Sequence, residues 1–307
     1  MTKKVISHQP SAIRGLGTAL VTPFQADGSV DYEALARLLD TQLTGGVDYI
    51  VVLGTTGEAA TMSADEKREV RRFIVNYVNE QSAVSYQHSA IPLVLGVGGN
   101  NTAAVCAELE AMKDELVRDY AAILSVCPYY NKPNQEGLFR HFCAVAEASP
   151  VPIILYNVPG RTGVNLLPET VMRIYNAYPE KIAGIKEASG NIEQIKHLLA
   201  LSSQLSAFSV ISGDDGIACE VMEAGGAGLI SVASNAFPED FRQIVHDKDA
   251  ALQAKYAETV RLLFAEGNPV GIKSVLAQKG IIQNYLRLPL VPASDILKQQ
   301  IANILQS

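Results

Sequence analysis

Ile182-Ala183-Gly184-Ile185-Lys186 is a short apolar run that ends abruptly on a cation, and its reading decides the fold. A near-continuous apolar block of this length suits a strand buried on both faces, not a half-exposed one with alternating polarity. Seven further blocks of the same kind surround it: Gly17–Val21, Tyr49–Leu53, Leu93–Val97, Ala122–Val126, Ile153–Tyr156, Phe208–Ser212 and Gly228–Val232. Amphipathic stretches of helical period lie between them, among them Val30–Leu43, Ala64–Asn79, Pro168–Ala177 and Asn191–Leu201. The second opens on Ser63 as N-cap, with Glu66 three residues on to complete a capping box.

Strand and helix alternate eight times, with strands spaced about 20 to 45 residues apart, which predicts parallel strands and right-handed crossovers. Eight such units in about 235 residues match the count and length of an α/β chain closed into a (β/α)8 TIM barrel. A doubly wound open sheet is the competing fold. Residues 1–237 are expected to form the barrel and 238–307 a helical C-terminal extension, with helices at Asp240–Glu266 and Val270–Lys279.

The 307 residues carry 25 basic and 32 acidic side chains, a net charge of −7, which argues against nucleic acid as a partner. The densest basic cluster, Lys67, Arg68, Arg71 and Arg72, alternates with Glu66 and Glu69 and reads as a solvated helix face. Cys106, Cys127, Cys143 and Cys219 are far apart and read as reduced thiols. Residues Met1–Pro10 lack the apolar run of a signal peptide, and no stretch approaches 18 uncharged apolar residues. A cytoplasmic protein without a membrane span is the expectation.

Barrel active sites lie at the C-terminal ends of the strands. Those ends read Gly54-Thr55-Thr56-Gly57-Glu58, Pro128-Tyr129-Tyr130-Asn131, Tyr156-Asn157-Val158-Pro159-Gly160-Arg161-Thr162, Ile185-Lys186-Glu187 and Ser212-Gly213-Asp214-Asp215. Lys186 is the most informative. An inward ammonium in an apolar barrel mouth is costly, and desolvation favours the neutral amine that a Schiff-base nucleophile needs. The competing reading is an ion pair with Glu187 or Asp214, and position alone leaves both open. Tyr156 ends the preceding strand, where its phenol could reach Lys186, although a buried tyrosine often needs only one hydrogen-bond partner. The Gly54–Gly57 turn could present N–H groups to an anion, or could be a plain Thr-capped βα turn. Arg161 could grip a carboxylate in a fork, or lie on the surface. Lys273 is a rival amine, placed in a helical stretch and ranked below Lys186.

His8, His88, His141, His197 and His246 form no close pair, so no metal site is expected. Asp214-Asp215 alone is a weak metal signal. Gly96-x-Gly98-Gly99-Asn100-Asn101 lacks the last glycine of a dinucleotide fingerprint and no P-loop occurs, so no cofactor is expected.

Taken together, Gly54-Thr55-Thr56-Gly57-Glu58, Tyr156-Asn157-Val158-Pro159-x-Arg161-Thr162-Gly163 and Gly184-Ile185-Lys186-Glu187 resemble the class I pyruvate-dependent aldolase and lyase superfamily, and within it the dihydrodipicolinate synthase family of lysine biosynthesis. The resemblance runs from about Gly15 to Pro289. It implies a lyase in which Lys186 forms an imine with pyruvate and Tyr156 relays protons. It implies that Thr56 is the hydrogen-bonded partner of Tyr156, and that Tyr130 completes the relay in a neighbouring subunit. Thr55 and Thr56 match the cradle for the pyruvate carboxylate, while Gly213 and Ile230 match positions whose backbone lines the pocket. Arg161 matches the arginine that binds the carboxylate of L-aspartate 4-semialdehyde, which favours this family over sialic acid lyases and ketodeoxysugar aldolases. The family pattern also implies a homotetramer built as a dimer of dimers.

Two departures stand out. Ala59 replaces a common serine. Asn100 and Tyr129 match the lysine-inhibitor pocket of regulated members, but Ala104 stands where those members usually carry an acidic residue, and Ala64 and Lys67 where histidines are frequent. Feedback by lysine is therefore expected to be weak or absent. The alternatives are another pyruvate aldolase acting on a sugar acid, such as an N-acetylneuraminate lyase or a 2-keto-3-deoxy sugar acid aldolase, and an inactive barrel that binds small acids.

Overall fold

The computed structural model describes residues 13–84 and 91–306. Met1–Pro10, His8 and His88, which entered the reading of the sequence, lie outside the described residues. Eight strands follow one another: β1 (Gly15–Ala19), β2 (Tyr49–Val52), β3 (Leu93–Val97), β4 (Ala122–Val126), β5 (Ile153–Asn157), β6 (Ile182–Glu187), β7 (Ser209–Ser212) and β8 (Gly228–Ser231). They form a closed barrel in chain order. Closure in sequential order excludes the doubly wound sheet, whose strand order would reverse at a switch point.

Strand limits shift by one or two residues where side chains take over the ladder. β1 begins at Gly15, and the Val21 amide donates to Asn235 Oδ1 at 3.1 Å. Ser63 and Glu66 form the expected reciprocal cap. The Ser63 amide donates to Glu66 Oε2 at 2.9 Å and the Glu66 amide to Ser63 Oγ at 3.2 Å. Two expectations are corrected. The helix expected over Asp240–Glu266 is three helices, Pro238–His246, Ala250–Lys255 and Ala257–Phe264. Lys248 adopts a left-handed φ of 54°, and Asp249 caps the next helix by accepting from the Leu252 amide, so local polar side chains outcompete continuation. Arg71 is buried, unlike its exposed neighbours Arg68 and Arg72, because its helix turns that face inward beside Val70 and Ile74.

The chain falls into two compact units. One holds residues 92–229 with 13–14, the other residues 15–84, 91 and 230–306. In the second, the helix Tyr32–Thr44 buries Ala34, Leu35, Leu38, Leu39 and Gln42. Gln42 Oε1 accepts from Thr18 Oγ1 at 2.7 Å, and its amide nitrogen donates to the Asn235 carbonyl at 3.1 Å. This buried polar chain is satisfied at both ends, so it joins β1 to the turn after β8 without a desolvation penalty left over.

In the first unit, β3 to β8 pair in parallel, and the pairing of β5 with β6 is irregular. Ile153 lies opposite Ile182, but Ile154 lies opposite Gly184, so Ala183 is an extra residue on β6. From there the register sets Tyr156 opposite Lys186 and Asn157 opposite Glu187. Without the extra residue Tyr156 would face Ile185, because a one-residue slip exchanges the two faces. Gly184 permits the bulge. A Cβ built there would lie 2.1 Å from the Ser209 carbonyl oxygen of β7. Gly184→Ala is expected to lower stability by about 1–3 kcal/mol or more, since backbone cannot yield as a side chain does. An unchanged urea midpoint would refute this account of the bulge.

Candidate active site

Lys186 and Tyr156 point the same way from adjacent strands and are both nearly inaccessible, Lys186 at 6% exposure. The Lys186 Nζ lies 4.5 Å from the centre of the Tyr156 ring. Gly213 borders them from the end of β7. A Cβ there would lie 3.0 Å from Lys186 Cε and 2.5 Å from Ala188 Cβ, so glycine leaves the lysine stem its room.

Neighbours along a strand face opposite ways, and this separates Lys186 from Glu187. Glu187 is turned to the other face with Asn157, whose amide nitrogen donates to both its oxygens at 3.1 and 2.9 Å. The Ser189 amide and Gln194 Nε2 supply further donors at 2.8 and 3.1 Å. Burial raises the pKa of this carboxyl, while the four hydrogen bonds oppose the rise. Asp214 is occupied with its own turn, accepting from the Gly216 amide at 2.8 Å. Among the described residues no carboxylate comes within ion-pair distance of Lys186, so neither candidate counter-ion from the sequence is used.

Tyr130 and Arg161 share one loop region of the same unit. The Tyr130 amide donates to the Thr162 carbonyl at 3.3 Å. Tyr130 itself is 87% exposed and has a φ of 73°, a left-handed conformation that a bulky residue rarely adopts. Arg161 is exposed on a one-turn helix, Pro159–Thr162, that Gly163 ends in the left-handed region.

Thr55, Thr56 and Ile230 belong to the other unit. Ile230 is buried in β8. Thr55–Gly57 is a single 3-10 turn in which Thr55 is exposed and Thr56 buried. Thr22 Oγ1 donates to the Gly57 carbonyl at 2.8 Å, and the Glu58 amide to the Thr55 carbonyl at 3.1 Å. Asn268 Nδ2 donates to Thr56 Oγ1 at 2.9 Å. Glu58 ends the turn with φ 52°, and its buried carboxylate lies 2.5 Å from Lys273 Nζ. Lys273 is fully buried, donates also to the Tyr285 carbonyl at 3.0 Å, and stacks over Phe24 at 4.2 Å. Burial lowers its pKa and Glu58 pulls it back. The rival amine is thus committed to a carboxylate. Arg287 also lies over the Phe24 ring, at 4.4 Å, and bonds Glu66, Gly28, Thr61 and, through its amide, Glu58.

Asn268 and Arg287 escaped the reading of the sequence. One signal pointed their way: a lysine inside Val270-Gly271-Ile272-Lys273-Ser274-Val275-Leu276 must find a carboxylate if that helix is buried all round.

The sequence profile of the Dihydrodipicolinate synthetase family matches residues 12–307. The chain belongs to this family. The 4-hydroxy-tetrahydrodipicolinate synthase of Azobacteroides pseudotrichonymphae genomovar. CFP2 is 46% identical over 300 residues, 95% of this chain and 96% of its own length. Dihydrodipicolinate synthase from Thermotoga maritima superposes with a TM-score of 0.88 at 38% identity, covering 96% of this chain and 98% of its own. The enzyme from Acinetobacter baumannii, solved in complex with pyruvate, gives 0.87 at 38% identity over 96% and 98%. Like these members of the dihydrodipicolinate synthetase family, the chain is a lyase with a closed eight-stranded barrel.

The buried Glu58–Lys273 pair makes a test of what holds the Thr55–Gly57 turn. Lys273→Met leaves a buried carboxylate without its cation and is expected to cost about 3–5 kcal/mol, and adding Glu58→Gln should restore most of it. Urea unfolding reads both; equal losses in the single and double variants would show that the charge is not the issue.

Proposed function

We propose that this chain condenses pyruvate with L-aspartate 4-semialdehyde, the reaction of lysine and diaminopimelate biosynthesis, through a Schiff base on Lys186. The supporting observation is the contrast between the two buried lysines. Lys273 is paired with Glu58, whereas Lys186, with no carboxylate within ion-pair distance among the described residues, lies against Tyr156. An amine that is not tied to a carboxylate is available to attack a carbonyl carbon.

In this reading the Lys186 amine attacks the keto carbon of pyruvate, and loss of water leaves an imine. Removal of a methyl proton, shuttled by the Tyr156 phenol, gives an enamine. The enamine carbon attacks the aldehyde of the second substrate, whose carboxylate Arg161 holds. The amino group of that substrate then attacks the imine carbon, closing the ring and releasing Lys186 as the amine. Thr55 and Thr56 bind the pyruvate carboxylate, Thr56 also takes part in the proton relay, and the backbone at Gly213 and Ile230 lines the pocket. Tyr130, exposed and held in a left-handed conformation, serves the site of a neighbouring subunit in a homotetramer built from dimers. Residues 1–237 act as the catalytic barrel and 238–307 as its helical extension, in a cytoplasmic enzyme. Among the described residues no helix is long and apolar enough to cross a membrane.

Borohydride reduction in the presence of pyruvate, followed by peptide mass spectrometry, tests the reading. A pyruvate adduct on Lys186 together with turnover of L-aspartate 4-semialdehyde supports it, and an unmodified Lys186 would sink it. Tyr156→Phe is expected to fold normally and to lose about 10²–10⁴-fold in turnover, the usual worth of a positioned acid–base group. Near-normal turnover would remove Tyr156 from the relay. Lysine at millimolar concentration is expected to inhibit weakly or not at all, because Ala104 offers no carboxylate to its ammonium. Half-inhibition below 1 mM would contradict that expectation.

A further inference from the structure

We propose that Asn268 is a positioning residue that aims the hydroxyl proton of Thr56 toward the carboxylate of bound pyruvate. This rests on the reading of Thr56 given above. Asn268 precedes the helix Val270–Gln278, 212 positions along the chain from Thr56, and its Nδ2 donates to Thr56 Oγ1 at 2.9 Å with both residues buried. An amide nitrogen can only donate, so the threonine oxygen is the acceptor in this bond. The hydroxyl proton must then point away from Asn268.

Polarity makes this consequential. A carboxylate accepts and cannot donate, so any hydroxyl that cradles one has to offer its proton. A threonine hydroxyl without a fixed partner rotates among several directions; the bond from Asn268 removes the direction in which Thr56 would waste its proton. The backbone around it is already set. Thr22 Oγ1 holds the Gly57 carbonyl at 2.8 Å, and Glu58, next along the chain, is tied to Lys273 at 2.5 Å. Lys273 lies five residues beyond Asn268 in the same segment. The segment therefore grips the turn at two points, one through an ion pair to its backbone end and one through the Thr56 side chain. The ion pair places the turn, and Asn268 orients the one hydroxyl buried in it.

The test is a double-mutant cycle read by steady-state kinetics with pyruvate as the varied substrate. Asn268→Ala is expected to lower kcat/KM for pyruvate at least tenfold while KM for L-aspartate 4-semialdehyde stays within twofold. In a Thr56→Val background, where no hydroxyl remains to aim, the same substitution should change kcat/KM less than twofold. A residue with a merely structural role would cost the same in both backgrounds, and that result overturns the proposal. Asn268→Asp carries the test if Asn268→Ala fails to fold. It keeps the volume but cannot donate when ionised, and it should lose at least as much activity as the alanine variant; wild-type kcat/KM in Asn268→Asp overturns the proposal. Borohydride trapping of the unmodified enzyme separates the two levels. A Lys186 adduct with no effect at Asn268 rejects this inference alone, and the absence of an adduct rejects the reading of the reaction together with it.

Discussion

The extra residue on β6 governs which side chains meet at the ends of two strands. With Ala183 accommodated in the bulge, Tyr156 and Lys186 share one face of the sheet and Asn157 and Glu187 share the other. Every later property follows from this partition. The lysine is separated from the carboxylate next to it in sequence, and that carboxylate is satisfied by amide donors and not by a cation. The bulge in turn depends on Gly184, since the β7 backbone occupies the space a side chain would need. A local irregularity of one residue thus sets which side chains meet across β5 and β6.

Two lysines of this chain are buried in different company. Lys273 is fully buried, but a carboxylate 2.5 Å away and an aromatic face compensate its charge, so it works as structure. Lys186 is buried against the Tyr156 ring, and among the described residues no carboxylate lies within ion-pair distance of it. The residue type is the same in both places; the partner decides its role.

The C-terminal helical segment does more than cover surface. Through Asn268, Lys273 and Arg287 it reaches the Thr55–Gly57 turn and the capping box of the helix that follows, all within one unit. Arg287 lies between Glu58 and Glu66, and its hydrogen bonds hold the Glu66 carboxyl down to about 2. The Thr-Thr turn is short and contains no regular element long enough to hold itself, which explains why its supports come from so far along the chain.

Local rules written in adjacent residues made much of this legible from the sequence. Eight apolar blocks with helical stretches between them pointed to a parallel barrel over a doubly wound sheet, and Ser63 and Glu66 marked a helix start. The single helix expected over Asp240–Glu266 failed because Asp249 caps more strongly than its neighbours propagate. The sequence left open whether Lys186 pairs with Glu187, and the tertiary structure answered by giving Glu187 to Asn157, Ser189 and Gln194 on the opposite face. It also could not name Asn268 as the donor to Thr56 or Glu58 as the partner of Lys273. Periodicity and capping are properties of neighbours along the chain, whereas the partner of a buried polar group is whichever residue packing brings within 3 Å, here from more than 200 positions away.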